Sequence, residues 1–198
     1  MGESSSNGFI ERAIQDVQGQ IRTIKLAVES RYKSVIKEDH PILPWIVKYA
    51  GITISLCRKG EDGRTAYERR RGERYLRELP DFGECVWHLK PESASVNKLE
   101  SRWENEIFVG IREESNEILV MTKEGVIKVM TFKRRPEGER WNLEELANGK
   151  GLPWEPIPGR EGIGIKSRVH IPIEREPLTL DGNIIEASVR QEDENNKR

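Results

Sequence analysis

The residue best suited to metal chemistry in this sequence is Glu11. It follows the turn-forming pair Asn7-Gly8 at the head of a predicted amphipathic helix. A carboxylate in the first turn of a helix is favoured by the helix dipole and by the free backbone N–H groups. On spacing alone, the simpler interpretation is therefore an ordinary first-turn acid. Two-metal phosphodiester chemistry needs several carboxylates around ions about 3.5–4 Å apart, so Glu11 can supply only one edge of such a site.

The helix that carries Glu11 is predicted to run from about Gly8 to Ser30. Its apolar residues recur at steps of three and four, which predicts one buried stripe: Ile10, Ile14, Val17, Ile21, Ile24 and Val28. Polar residues recur at the same steps on the adjacent face: Glu11, Gln15, Gln18, Arg22, Lys25 and Glu29. We expect this second face to contact water or a partner.

Composition and charge exclude several classes of protein. The charged residues make up 34% of the 198 residues and the hydrophobic ones 35%, which predicts a small globular part with polar segments attached. The net charge of −1 argues against a polybasic protein that coats nucleic acid. Cys57 and Cys85 are isolated in apolar runs, which favours buried free thiols.

Targeting and metal-binding patterns are missing from the sequence. It has no Cys-x-x-Cys or His-x-x-x-His pair, so we expect no zinc site. The longest apolar run, 42–57, contains a proline and a lysine and is too short to span a bilayer. The N-terminus resembles no signal peptide. We therefore expect no membrane association and an intracellular location, nuclear or cytoplasmic.

Two further helices are predicted before the sequence changes character. Residues 43–57 are apolar nearly all round, which predicts a helix buried on several sides. Thr65 and Glu68 have the spacing of a capping box that starts a short third helix. Arg69, Arg70 and Arg71 crowd this helix and could contact phosphates. Acids lie nearby, so a solvated charged face remains the alternative interpretation.

Short β-rich runs separated by turns follow from Phe82 onward. They lie at 85–89, 107–111, 118–121 and 126–130 and predict a small closed or nearly closed barrel of four or five strands. The basic run 133–135 is a second candidate for phosphate contacts. Residues 136–198 are rich in proline and charge and are predicted to be mostly irregular. Trp141 and Trp154 are candidates to dock back on the core, and 168–173 is a candidate strand.

Four motifs in order resemble the integrase of copia-like long-terminal-repeat retrotransposons, encoded in the Pol polyprotein. Asn7-Gly8-x-x-Glu11-Arg12 resembles the motif around the catalytic glutamate of that family. Thr65-Ala66-Tyr67-Glu68 with Gly72 is similar to its Thr-Pro-Tyr-Glu…Gly signature, with alanine in place of proline. Phe82-Gly83 resembles the pair before its C-terminal barrel, and 108–110 resembles its Phe-Val-Gly-Tyr strand, with Ile111 in place of tyrosine. The resemblance covers about residues 5–135.

The resemblance implies a fold and a site. It implies an α+β chain with the C-terminal portion of an RNase H-like integrase core at 1–75 (helices only), a small SH3-like barrel at 82–135, and an uncovered tail at 136–198. Glu11 corresponds to the glutamate that, with two upstream aspartates absent here, binds Mg²⁺ and is catalytic. The DNA-binding residues implied or proposed are Gln15, Gln18, Arg22, Lys25, Arg69, Arg70 and Arg71. Since the family's central sheet is also absent, we expect exposed or mutually paired helices.

Three functions remain open from the sequence. The first is a fragment of an integrase, a DDE-type polynucleotidyl transferase that is inactive alone. The second is a non-enzymatic module that binds DNA weakly and without sequence preference, or binds a protein. The third is a retroelement remnant without function. A second copy of the chain is a further candidate partner, because unpaired apolar helix faces favour self-association.

Overall fold

The chain folds into an α+β structure in which helices and an antiparallel sheet occur together. The computed structural model describes residues 3–89, 103–160, 179–180 and 183–184. The helices are α1 (Glu3–Tyr32), α2 (Ile42–Cys57), α3 (Ala66–Arg71) and α4 (Leu143–Asn148). The strands are β1 (Cys85–Leu89), β2 (Trp103–Ile111), β3 (Ile118–Met121), β4 (Val126–Val129) and β5 (Phe132–Arg134), followed by a 3-10 turn at Glu137–Glu139. The predicted mixture of helix and sheet is confirmed.

The chain divides into two compact units, Met1–Ile165 and Lys166–Arg198. Within the second unit, the structure describes a two-stranded antiparallel hairpin formed by β6 (Thr179–Leu180) and β7 (Asn183–Ile184). The predicted strand at 168–173 lies outside the described residues. In the part of the chain that is described, none of the helices combines the length and the apolar character needed to cross a bilayer.

Helix α1 is longer than predicted, and this changes the position of Glu11. The helix begins at Glu3, not near Gly8. Glu11 lies eight residues further on, and at about 3.6 residues per turn this places it in the third turn. The expectation that Glu11 is a first-turn acid is therefore wrong, and the free N–H groups of the helix start are too far away to stabilise its charge.

The predicted apolar stripe of α1 is buried along only part of its length. Ile24 and Val28 are buried, whereas Ile10 and Ile14 are 59% and 51% exposed. Helix α2 runs antiparallel to α1 and explains the difference. Gln20 donates to the Thr53 hydroxyl near the end of α2, and Arg58, just beyond that end, pairs with Asp16. The α1 turns that precede Asp16 therefore extend past the end of α2.

Helix α2 forms the centre of the core. Tyr49 packs edge-on against Phe108 of β2, with ring centroids 5.6 Å apart, and its ring lies 5.1 Å from that of Phe82. On another side, the indole N–H of Trp45 donates to the carbonyl oxygen of Gly151 at 2.9 Å. Helices α1 and α2 pair with each other, as one of the two expected arrangements has it, but α2 also covers the sheet that follows it in the sequence.

The five strands form one open antiparallel sheet in the order β4-β3-β2-β1-β5. All four predicted strands are present; β2 starts earlier than predicted, at Trp103, and β5 returns to pair with β1. A register shift between Phe108 and Gly110 marks an irregularity in β2. At the β4 edge, the Val126 N–H donates to the Pro156 carbonyl at 2.7 Å, so chain from beyond the sheet covers an edge that would otherwise expose unpaired backbone groups.

Residues 136–160 are more ordered than predicted. Asn142 caps α4 by accepting hydrogen bonds from the backbone N–H groups of Glu144 and Glu145, and Leu146 is buried. The Trp141 ring contacts that of Tyr32 at 5.4 Å, so the predicted docking of Trp141 is confirmed. Trp154 is exposed, and its predicted docking is wrong. The division at 1–75, 82–135 and 136–198 stays a prediction about domains, whereas the observed compact unit spans all three segments.

The shared core yields a stability prediction. Ile46 is fully buried in α2 and its neighbour Val47 is exposed. We expect Ile46→Ala to lower the free energy of unfolding by about 2–5 kcal/mol, since it leaves a cavity, and Val47→Ala to change it by about 0.5 kcal/mol or less. Urea unfolding followed by far-ultraviolet circular dichroism and by tryptophan fluorescence measures both. Two separate transitions, one helical and one for the sheet, would contradict a common core.

Candidate nucleic-acid interface

The polar face of α1 is available to a partner along most of its length. Glu11, Gln15, Gln18 and Arg22 are all exposed, at the spacing that the sequence predicts. Lys25 is partly covered and forms an ion pair with Glu29 at 2.5 Å, one turn further along the helix. The Glu29 carboxylate also accepts from the backbone N–H of Ile36, and these bonds lower the pKa of Glu29. Arg22 is therefore the most accessible cation of the predicted set on α1.

The three arginines of α3 are exposed, but each donates to acceptors of the chain itself. Arg69 binds both carboxylate oxygens of Asp62, at 3.0 and 2.6 Å. These hydrogen bonds lower the pKa of Asp62 and raise that of Arg69. Arg70 binds the Glu113 carboxylate at 2.8 Å. Arg71 donates to the carbonyl oxygen of Glu113 at 2.5 Å and to that of Glu114 at 2.9 Å.

The second basic run, 133–135, holds the structure together. Arg134 donates to both oxygens of the Glu84 carboxylate, at 2.9 and 2.6 Å, and Glu84 has no exposed surface. Arg135 pairs with Glu145 at 3.0 Å. The Lys133 ammonium lies 4.5 Å from the centre of the Trp103 ring. These contacts favour a structural role, because removal of one partner of a buried ion pair leaves an uncompensated charge.

No metal site is built around Glu11 in the part of the structure that is described. Across those residues, no three His, Cys, Asp or Glu side chains are arranged to hold an ion. Both cysteines are free, as predicted, but Cys57 is exposed and only Cys85 is buried. Burial raises the pKa of the Cys85 thiol to about 11, so it is not an activated nucleophile.

Sequence reasoning missed an acidic cavity on the sheet. Its volume is about 280 Å³. The lining residues are Glu104, Glu106, Thr122, Lys123, Glu124, Gly125, Ile127, Ile157 and Arg160. Burial raises the pKa of Glu106 to about 8, and the neighbouring carboxylates of Glu104, Glu145 and Glu124 add to the effect. The alternation of residue types along β2 could have indicated Glu104 and Glu106. The carboxylates of Glu124, in the turn between β3 and β4, and of Glu145, on α4, come close to Glu106 only in the folded chain.

Comparison with known proteins adds no further assignment. No protein-family model matches the chain, and no curated protein or solved structure matches it. The features that bear on function are therefore the exposed α1 face, the α3 arginines and the four sequence motifs.

The acidic cavity yields a prediction of pH-dependent stability. The Glu106 pKa is raised from 4.5 to about 8, so the folded state favours the neutral carboxyl. This contribution is fully present below pH 4.5 and is lost as the pH rises through 8. We expect Glu106→Gln, which stays neutral, to be more stable than the natural chain at high pH. The gain corresponds to about 1.4 kcal/mol for each unit of the shift.

Thermal or urea unfolding between pH 4.5 and 9 tests this expectation, with Glu144→Gln as the control because Glu144 is exposed on α4. The advantage of Glu106→Gln should grow with pH, and Glu144→Gln should show no such growth. A constant difference between Glu106→Gln and the natural chain across the whole pH range would contradict the raised pKa.

Proposed function

We propose that this chain is part of a retrotransposon integrase and that it contributes DNA contacts rather than a complete catalytic centre. The single observation that carries the proposal is the exposed polar face of α1. The residues that follow Glu11 on that face, Gln15, Gln18 and Arg22, remain uncovered although the helix is anchored at its other end. A long helix with amide and guanidinium groups along one side can lie along a phosphate backbone.

The finer fold assignment belongs to the same proposal. We assign α1 to α3 to the C-terminal helices of an RNase H-like core and β1 to β5 to the SH3-like barrel that follows it. Two observations support this assignment. The capping box of α3 is formed by Thr65 and Glu68, which are the residues of the signature motif. The fifth strand returns to pair with the first, a pairing that a small barrel also uses, whereas the sheet here is open because β4 and β5 do not pair.

The proposed catalytic role of Glu11 depends on residues that this sequence does not supply. Two aspartates from another segment or chain would have to join Glu11 around Mg²⁺, since two-metal phosphoryl transfer requires several converging carboxylates. Glu11 projects from the part of α1 that extends past α2, where α2 does not obstruct an approaching group. The chain alone is therefore proposed to bind DNA without cleaving or joining it.

A second candidate function is favoured by a specific observation. Three apolar residues are more than half exposed on the turns of α1 that extend past the end of α2: Phe9, Ile10 and Ile14. Exposed apolar patches of this kind mark contacts with other proteins. A non-enzymatic protein-binding module would use this stripe and leave the polar face free.

We expect modest affinity for duplex DNA without sequence preference. Phosphate contacts release counterions, so binding should weaken steeply with salt, with a slope of log K of about −0.9 for each contact. Loss of Arg22 and Lys25 together should flatten the slope by about 1 to 2, and loss of the three α3 arginines by more. Fluorescence anisotropy with several unrelated duplexes over a salt series measures the affinity and the slope.

The matched control for the α1 pair is Lys37→Ala combined with Lys128→Ala, which removes two exposed lysines outside the proposed interface. An equal loss of affinity in this control would show a bulk charge effect. The absence of binding even at low salt would exclude the DNA-binding proposal and favour the protein-binding candidate.

We also expect no strand cleavage or strand transfer by the 198-residue chain with Mg²⁺, because one carboxylate cannot hold two ions. Incubation with labelled duplex ends and separation on a denaturing gel tests this. Metal-dependent product that disappears in Glu11→Gln would show that the chain forms a complete site on its own.

A further inference from the structure

Two of the three α3 arginines, Arg70 and Arg71, are bound by one particular turn of the sheet, whereas Arg69 binds Asp62. The turn that joins β2 to β3, residues 112–117, supplies the Glu113 carboxylate to Arg70. It also supplies two backbone carbonyl oxygens to one terminal nitrogen of Arg71. Three oxygen atoms of this turn therefore bind one guanidinium nitrogen of Arg70 and one of Arg71, two of the side chains that the proposed function assigns to DNA phosphates.

The turn keeps its conformation by other contacts. Arg77 donates to the carbonyl oxygen of Asn116 at 2.7 Å, and Asn116 adopts a left-handed backbone conformation with φ of 57°. Arg112 pairs with Glu114 at 3.2 Å within the turn. Departure of Arg70 and Arg71 would therefore leave the shape of the turn intact.

The contact between α3 and the turn is of a kind that a polyanion can displace. The side chains of Arg70 and Glu113 are 51% and 39% exposed, so water and salt screen their attraction. Phosphate oxygens offer the same charge-assisted hydrogen bonds to a guanidinium group. A DNA backbone also offers many such oxygens in a row and releases counterions when it is neutralised.

We propose that the 112–117 turn is an electrostatic latch, in which Glu113 and the adjacent carbonyl oxygens occupy Arg70 and Arg71 until DNA phosphates displace them. The inference rests on the proposed DNA-binding function and adds a form of regulation to it. The latch lowers affinity in two ways. The ion pair between Arg70 and Glu113 must be broken before Arg70 can bind a phosphate. The Glu113 carboxylate also repels the incoming phosphates.

The test is a comparison of Glu113→Gln with a control that changes the net charge by the same amount. Glu38→Gln is that control, since Glu38 is exposed and has no ion pair or hydrogen bond within the part of the chain that the structure describes. We expect Glu113→Gln to bind a duplex about 2–5-fold more tightly than Glu38→Gln at low salt, the equilibrium equivalent of one exposed ion pair. The slope of log K against log salt should also become steeper.

The double variant Glu113→Gln/Arg70→Ala separates release of Arg70 from a simple change of charge. The double variant should exceed Arg70→Ala in affinity by less than Glu113→Gln exceeds the natural chain, because only the removal of the Glu113 charge remains and there is no guanidinium to free. Retention of the full gain without Arg70 would overturn the latch. Melting curves should show that all variants fold to a similar stability.

The remaining outcomes distinguish failure of the latch from failure of the proposed function. Salt-dependent binding with equal affinities for Glu113→Gln and Glu38→Gln overturns the latch and leaves DNA binding standing. No binding by any variant overturns both. Binding that appears only in Glu113→Gln supports the latch in its strongest form, because the turn then blocks DNA completely in the natural chain.

Discussion

Helix α2 is apolar on almost every side, and the need to remove it from water organises the first compact unit. One side is covered by the C-terminal half of α1, another by β2, and the chain near Gly151 closes a third through the hydrogen bond from Trp45. At roughly 25 cal/mol for each Å² of apolar surface buried, a helix of this composition stabilises whatever elements cover it. The strands that follow it in the sequence are the nearest elements with an apolar face.

This burial explains why α1 has two different halves. The half that ends at Tyr32 is held against α2 and the sheet, and the Tyr32 hydroxyl donates to the Gly83 carbonyl at 2.7 Å. The half before Asp16 has no α2 beside it, because α2 ends at Cys57. Helix formation is cooperative, so the anchored half lowers the cost of extending the helix toward its N-terminus. Glu11 and Gln15 therefore lie on turns that α2 does not support, whereas Gln18 and Arg22 lie on the exposed side of the turns that it does.

Local signals were readable from the sequence, and relations between distant segments were not. The capping box at Thr65 and Glu68, and the strands β1, β3 and β4, follow from residue types and short spacings. The packing of α2 on the sheet does not follow from such signals. An apolar helix sequence indicates that the helix must be buried, but it does not indicate which element buries it. The burial of Glu84 beneath Arg134 is likewise a contact across 50 residues, and no periodicity encodes it.

The pairing of charged side chains is likewise not readable from local sequence. The chain carries 33 Lys and Arg residues against 34 Asp and Glu residues, so its own carboxylates are numerous enough to compete with any external anion for its basic side chains. A basic run is then a poor guide to an interface, as Arg134 and Arg135 show by their pairing with Glu84 and Glu145.

The more informative property of each arginine is how strongly its own acceptors hold it. Arg134 reaches a carboxylate that has no contact with water, so its pair persists against salt. The α3 arginines pair at the surface, where a competing anion can reach them and is screened by water and salt to the same extent as their own partners. Accessibility of the partner, and not density of positive charge, is therefore the feature that separates a candidate interface from a structural cluster in this protein.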